Sequence, residues 1–270
     1  MRKANDMTRA LIYRGNDILL CRDENDRPVF PVFDKENYDT PETICFELSG
    51  TKYIVLTDER IADPIPDSFR IGLREAWGVL DPDSWSIAAK GAELAHFMRT
   101  TRFCGTCGTT LVRASDISRR CPECGREFFP ALSPAIIVLV TRGEEALLVH
   151  AKSFSRPFYA LVAGFVETGE TIEECVAREI YEETSLHVTD IRYFGSQSWP
   201  FPSQLMLGFT ARYDSGTLCW ADGELSDGGF FTRDSHPLLP SLPSISRRLI
   251  DAWLSGKTDG EENCKGCDTV

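Results

Sequence analysis

The sequence predicts an α+β protein made of successive modules, and three observations carry that prediction. Residues 1 to about 85 hold short strand-like stretches separated by turn residues. Two cysteine pairs follow at a metal-knuckle spacing, and beyond them a strand pair leads into a strongly acidic helix. The 270 residues, 42% of them apolar and 26% charged, suffice for about two domains with buried cores and exclude wholesale disorder.

Charge and hydropathy narrow the partners. The chain has 29 Lys and Arg against 41 Asp and Glu, a formal charge of −12. That balance excludes broad, sequence-independent binding of duplex DNA, where basic side chains must replace counterions on phosphates. An anionic small molecule is still compatible, because bound metal ions reverse the local charge. The longest apolar runs, such as Ala135 to Val140, are strand-sized, and Met1-Arg2-Lys3-Ala4-Asn5-Asp6 lacks the apolar core of a signal peptide. No membrane partner and a cytoplasmic location are therefore expected. In that compartment cysteines read as metal ligands or free thiols before disulfides.

Along the chain, Leu11 to Tyr13, Ile18 to Cys21 and Tyr53 to Thr57 read as strands. Ile87 to Arg99 carries Ile87, Leu94, Phe97 and Met98 at helical spacing. Ala135 to Val140 and Ala146 to His150 read as paired strands around the turn Arg142-Gly143-Glu144. An acidic helix spans Thr171 to Ser185, a Trp/Phe/Pro-rich segment follows at Ser198 to Pro202, and a last helix covers Ser244 to Leu254. These elements divide the chain into a β-rich domain with a linking helix at 1–99, a cysteine module at 100–130, a larger domain at 131–254 and a disordered tail at 255–270.

Cys104-Gly-Thr-Cys107, thirteen residues, then Cys121-Pro-Glu-Cys124 is a zinc-ribbon spacing. Each pair forms a knuckle, with Gly108 and Gly125 freeing the backbone after the second cysteine, and the four thiolates surround one tetrahedral zinc. Four sulfur ligands leave no position for water, so one structural zinc per chain is expected. Nearby Arg113, Arg119, Arg120 and Arg126 read as a solvated rim. Cys264 and Cys267 lack a partner pair and read as tail thiols, and the four histidines have no ligand or triad spacing.

In the acidic stretch, Gly164 is followed after five residues by Glu170, and after seven more by Arg178-Glu179-Ile180-Tyr181-Glu182-Glu183-Thr184-Ser185-Leu186. On a helix Glu179 and Glu183 are neighbours at i and i+4, with Glu182 beside them. Like charges there cost a few tenths of a kcal/mol per pair, a cost that a divalent cation with oxygen ligands removes. Three glutamates alone read first as a solvated face. The full spacing resembles the Nudix box, with Ser185 in place of its final glycine. In the family that glycine ends the helix, so Ser185 must take a strained φ or end the helix differently.

A second array, Ser196-Gln197-Ser198-Trp199-Pro200-Phe201-Pro202-Ser203-Gln204, is similar to the one that marks the NADH pyrophosphatase branch of the Nudix hydrolase superfamily. Ser198 replaces a proline, and Ser203-Gln204 inverts the usual order. The preceding zinc ribbon and the closing Leu238-Leu239-Pro240 and Ser246-Arg247-Arg248-Leu249-Ile250 strengthen the resemblance. It implies that residues 131–254 form a Nudix α/β/α sandwich with a mixed sheet. It also implies that Glu179, Glu182 and Glu183, with the carbonyl of Ala163, hold two or more Mg2+ or Mn2+ ions. Asp227 falls where the family has a further carboxylate ligand, one methylene longer, with Glu224 as a substitute.

Gln197 to Gln204 would line a dinucleotide site, with Ser246 in place of an alanine and Phe165 stacking on the nicotinamide. Phe129 replaces a tyrosine near that pocket, and Arg74 aligns with a substrate-contacting arginine. Trp199 and Phe201 read as a stacking platform for flat rings. The implied reaction is hydrolysis of the diphosphate bond of NADH or NAD, with Glu182 as general base, in a homodimer. The same bond at the 5′ end of NAD-capped RNA is a further implied substrate. Alternatives are hydrolysis of another nucleoside diphosphate derivative such as ADP-ribose, and a non-catalytic NAD-type sensor.

Overall fold

The computed structural model describes residues 7–34, 43–57, 65–154, 156–220, 223–242 and 244–257. Packing divides the chain into two units, the first containing residues up to Leu132 and Trp199–Ser203, the second Ser133–Ser198 and the chain from Gln204.

Turn residues in the first unit cut the chain into β1 (Met7–Arg14), β2 (Asp17–Arg22), β3 (Pro28–Val29), β4 (Val32–Asp34), β5 (Ile44–Leu48), β6 (Thr51–Thr57) and β7 (Ser68–Gly72). The sheet runs β3-β2-β1-β6-β5, with β4 paired to β1 and β7 to β2. β1 and β6 are parallel, and the expected strands at 11–13, 18–21 and 53–57 lie in β1, β2 and β6. Side chains alternate between two faces. Leu11, Tyr13, Ile18 and Leu20 pack with helical Ala88, Ala89 and Leu94, while Ala10, Ile12, Ile54 and Leu56 form a separate cluster.

A short helix, α1 (Leu73–Ala76), precedes α2 (Pro82–Thr100). α2 begins at Pro82 rather than Ile87 because the Asp81 carboxylate accepts from the Ser84 amide at 2.9 Å and proline fits the first turn. Gly91 lets α2 approach β1: a Cβ there would lie 2.5 Å from the Tyr13 hydroxyl and 2.7 Å from Leu11 Cδ1.

The cysteine module carries β8 (Val112–Arg113), β9 (Arg119–Arg120) and β10 (Glu127–Phe128) in one antiparallel sheet. Phe128 packs against both its small core of Cys104, Leu111 and Cys121 and the larger α2 core. Buried Arg119 donates to the carbonyls of Met98 at 3.1 Å and Thr101 at 2.8 Å, satisfying acceptors at the end of α2.

The second unit contains β11 (Ser133–Arg142), β12 (Glu145–Ala151), β13 (Val162–Phe165), α3 (Ile172–Thr184), β14 (Leu186–Trp199), β15 (Gln204–Gly216), β16 (Leu225–Phe231) and α4 (Ile245–Leu254). Trp199, the last residue of β14, packs with the first unit. The expected β11–β12 hairpin turns at Gly143 with a φ of 59°. The sheet runs β14-β15-β11-β12-β16, with β13 on β11, and it is mixed because β11 and β15 are parallel.

Ile136, Val138 and Val140 face Val176 and Ile180 of α3, while Ile137 and Leu139 face Ile245, Leu249, Ile250 and Trp253 of α4. This period-two division of one strand between two helices makes the α/β/α sandwich. No described helix is long and apolar enough to cross a membrane. Most of the expected tail, residues 258–270 with Cys264 and Cys267, lies outside the described residues.

Candidate functional site

The cysteine module forms two knuckles with one backbone pattern. Gly108 N donates to Cys104 O at 2.8 Å and Gly125 N to Cys121 O at 3.0 Å, with φ values of 76° and 73° at the glycines. Left-handed backbone favours glycine at both positions. The four Sγ atoms lie within 4.8 Å of one another, with Cys104–Cys124 at 3.6 Å and Cys107–Cys121 at 3.4 Å. Thiolates around a tetrahedral zinc, at Zn–S bonds of about 2.3 Å, are about 3.8 Å apart, so the donor set fits zinc. The Thr106 amide, first among several donors, draws Cys104 down to about 6, toward the thiolate that zinc requires.

The acidic helix α3 is set by a capping box. The Thr171 side chain accepts from Glu174 N, and the Glu174 carboxylate accepts from Thr171 N. It ends at Ser185, which takes the left-handed conformation at φ 58° and donates its amide to Tyr181 O. Serine thus closes the helix in the geometry expected of glycine.

Arg178 stands at the centre of the helix's carboxylates. Its Nε and Nη2 grip Glu170 at 2.9 and 2.7 Å, and its Nη1 donates to Glu179 and Glu182, each at 2.9 Å. Nη2 also donates to the Phe165 carbonyl at 3.0 Å, tying α3 to β13. The guanidinium holds Glu170 down at about 2. Glu179 is instead pushed upward, because burial outweighs the attraction of Arg178. Glu183 is buried, and Glu182 is half open at 52% side-chain exposure.

Gly164 explains where Glu179 sits. A Cβ on Gly164 would collide with all three atoms of the Glu179 carboxyl group. The carboxylate therefore lies in a seat that only glycine leaves open, beside Ala163 on β13. These donors are all oxygens and outnumber the single guanidinium, which suits a hard divalent cation. Among the described residues, the cysteines form the one group of three or more metal-ligand atoms within 4.8 Å.

The remaining expected residues fall into separate places. Phe165, 53% exposed, ends β13 in the second unit. Gln197 lies on β14, where its Oε1 accepts from Ile245 N at 2.7 Å and supports the start of α4. Ser198 follows it, Gln204 opens β15, and Ser246 is buried on α4, its hydroxyl without a hydrogen-bond partner among the described residues.

Trp199, Pro200, Phe201, Pro202 and Ser203 belong to the first unit. There Trp199 and Phe201 meet edge-on at 5.0 Å, and the Arg74 guanidinium lies over both rings, at 5.4 and 4.5 Å. Phe201 packs on the α2 core, so one of the two expected platform rings is also a core contact. Phe129, in the same unit, is exposed.

Asp227 lies on β16 opposite His150 of β12. Its Oδ2 accepts from the Tyr159 hydroxyl and its Oδ1 from the Gly228 amide at 2.8 Å. Those bonds hold the carboxyl below its usual range, Tyr159 first. Glu224 stands just before the strand, exposed, with its carbonyl accepting from Lys152 N. Tyr159 and His150 were not legible as site residues in the sequence, since neither stands in a ligand or triad spacing.

Comparison with known proteins gives two family matches. Residues 131–253 match the NUDIX domain model, and residues 99–129 match the NADH pyrophosphatase zinc ribbon domain. A protein of Chromobacterium violaceum called NAD-capped RNA hydrolase NudC is 49% identical over 60% of this chain and 62% of its own length. A protein of the same name from Pseudomonas aeruginosa is 41% identical over 78% of this chain and 75% of its own length. Another, from Haemophilus influenzae, is 42% identical over 65% and 68%. Among solved structures, a NUDIX hydrolase from Nitrosomonas europaea superposes with a TM-score of 0.51 at 21% identity, covering 59% of this chain and 94% of its own.

Proposed function

The chain belongs to the Nudix hydrolase superfamily, in the branch that carries the NADH pyrophosphatase zinc ribbon, and from that premise we propose that it hydrolyses the diphosphate bond of NADH or NAD to (reduced) nicotinamide mononucleotide and AMP. The observation that supports this reading most is the carboxylate array of α3, seated on Gly164 and ordered by Arg178. Two or more Mg2+ or Mn2+ ions, held by Glu179, Glu182, Glu183, the Ala163 carbonyl and Asp227, would neutralise developing charge and acidify a bound water.

The chain's own residues divide the rest of the work. Glu182, the carboxylate most open to solvent, takes the proton of the attacking water as its oxygen adds to phosphorus and the bridging phosphate oxygen leaves. Glu179 is kept in place by its glycine seat, and Arg178 orients it and Glu182 while balancing part of their charge. The open ring of Phe165 offers a face for the nicotinamide. Gln197, Ser198, Trp199, Pro200, Phe201, Pro202, Ser203, Gln204, Ser246, Phe129 and Arg74 complete the dinucleotide recognition that the resemblance assigns. A homodimer and a cytoplasmic location are parts of the same proposal.

Incubating the pure protein with NADH, with and without Mg2+ or Mn2+, and analysing products by mass spectrometry tests this. Metal-dependent appearance of both mononucleotides is expected, reduced at least about 100-fold in Glu182→Gln. A folded, zinc-loaded protein with no turnover of any dinucleotide would overturn the reading in favour of a sensor. The names of the relatives support a second substrate of the same bond type, the 5′ end of NAD-capped RNA. Release of nicotinamide mononucleotide from such an RNA, leaving a 5′ monophosphate, is the matching assay.

A further inference from the structure

Asp227 stands where a longer carboxylate is expected, and the structure shows what grips it. Tyr159 donates its hydroxyl to Oδ2. The opposite oxygen accepts from Gly228 N at 2.8 Å. That amide belongs to a pinned backbone, because a Cβ at Gly228 would lie 2.7 Å from the Trp220 ring and 2.8 Å from Leu148 O. Each carboxylate oxygen therefore has one donor and a further lone pair to offer.

Tyr159 is fixed as firmly as the residue that it holds. Its amide donates to Leu238 O at 2.8 Å. Its ring lies against His150 at 5.4 Å on one side and meets Phe231 edge-on at 5.9 Å on another. His150 is itself oriented by Nδ1, 2.8 Å from the Phe158 carbonyl, an acceptor that places the proton on that nitrogen. A ring held between two others on an anchored backbone, with its one polar atom on a carboxylate, is built to aim that carboxylate rather than to fill space.

We propose that Tyr159 is a positioning residue, which holds the shorter Asp227 side chain in the orientation needed to ligate the catalytic metal. The inference rests on the reading of Asp227 as a metal ligand. Removing the hydroxyl leaves the carboxylate free to rotate about a single restraint, and the entropy of fixing it again falls on metal binding.

A double-mutant cycle on the zinc-loaded protein tests this, with Mn2+ affinity measured by electron paramagnetic resonance of the free ion in the absence of substrate. Tyr159→Phe is expected to weaken Mn2+ binding about 10- to 100-fold, the range typical of groups that orient metal ligands. Asp227→Ala is expected to weaken it at least as much, and the double variant no more than Asp227→Ala alone. Thermal melting of both units is followed in parallel, and Tyr159→His, which keeps a ring and a donor, is expected to recover part of the loss. If Asp227→Ala binds Mn2+ as the native chain does, Asp227 is not a ligand and the inference falls with that reading. If Asp227→Ala weakens binding while Tyr159→Phe does not, or if the two losses add, the metal reading stands and the role of Tyr159 is overturned.

Discussion

At the scale of single residues, Arg178 decides the electrostatics of the acidic helix. It spreads three nitrogens over three carboxylates, so none of Glu170, Glu179 and Glu182 faces the others uncompensated. Glu170 carries the clearest thermodynamic signature, since its carboxyl falls from 4.5 to about 2 on folding. A lowered carboxylate stabilises the folded state fully above its unfolded value and loses that contribution as pH falls through the folded one. The contribution of Glu170 should therefore be complete above pH 4.5 and fade as pH approaches about 2. Acid titrations of the native chain and Glu170→Gln, followed by tryptophan fluorescence, should show a stability gap that closes over this interval. These carboxylates are legible through the full spacing from Gly164 to Leu186, not through the helical repeat of the glutamates alone. Tyr159 was not, because its partner stands 68 positions away and nothing local marks the pairing.

At the scale of elements, legibility follows local chemistry. The start of α3 is fixed by neighbours in the sequence, because Thr171 and Glu174 form a capping box. The first turn of α2 lies outside the helix that apolar spacing marks, because Asp81, Pro82 and Ser84 set it by capping and that spacing begins later. β14 carries no such mark: its residues are mostly exposed or half-buried on both faces, so no period-two pattern sets them apart. Ser185 gives the element-scale prediction. A non-glycine residue in the left-handed region costs roughly 1–2 kcal/mol, partly offset by the extra chain entropy of glycine. Ser185→Gly should stabilise the protein by about 0.5 to 1 kcal/mol, read as a higher urea midpoint at unchanged slope.

At the scale of the whole molecule, each unit has its own core, and in the first the metal module is continuous with it. Phe128 belongs to both the cysteine cluster and the α2 core, and Arg119 reaches from β9 to the end of α2. A site of four thiolates supplies folding free energy directly, because the unfolded chain does not preform it. Chelation after mild unfolding should therefore release one zinc per chain and strip hydrogen-exchange protection from the end of α2, at Phe97 and Thr101. The amides of Ile136 to Val140, in the other unit, should keep theirs. Equal loss in both units would mean that the cores are not separate in stability. The three-part order was plain from cysteine spacing and the acidic motif, whereas the assignment of Trp199–Ser203 to the first unit depends on packing that no local pattern announces.

Gly164 has a consequence for the order in which such a site can decay. A methyl at that position meets first the flexible end of Glu179, so the carboxylate would be driven from its seat before the backbone had to move. A lineage that first loses Glu179 has removed the nearest obstacle to a side chain at Gly164. The reverse order passes through a folded protein that retains its glutamate in the wrong place. Mutational drift away from this chemistry thus has a direction, written into the absence of a single methyl group.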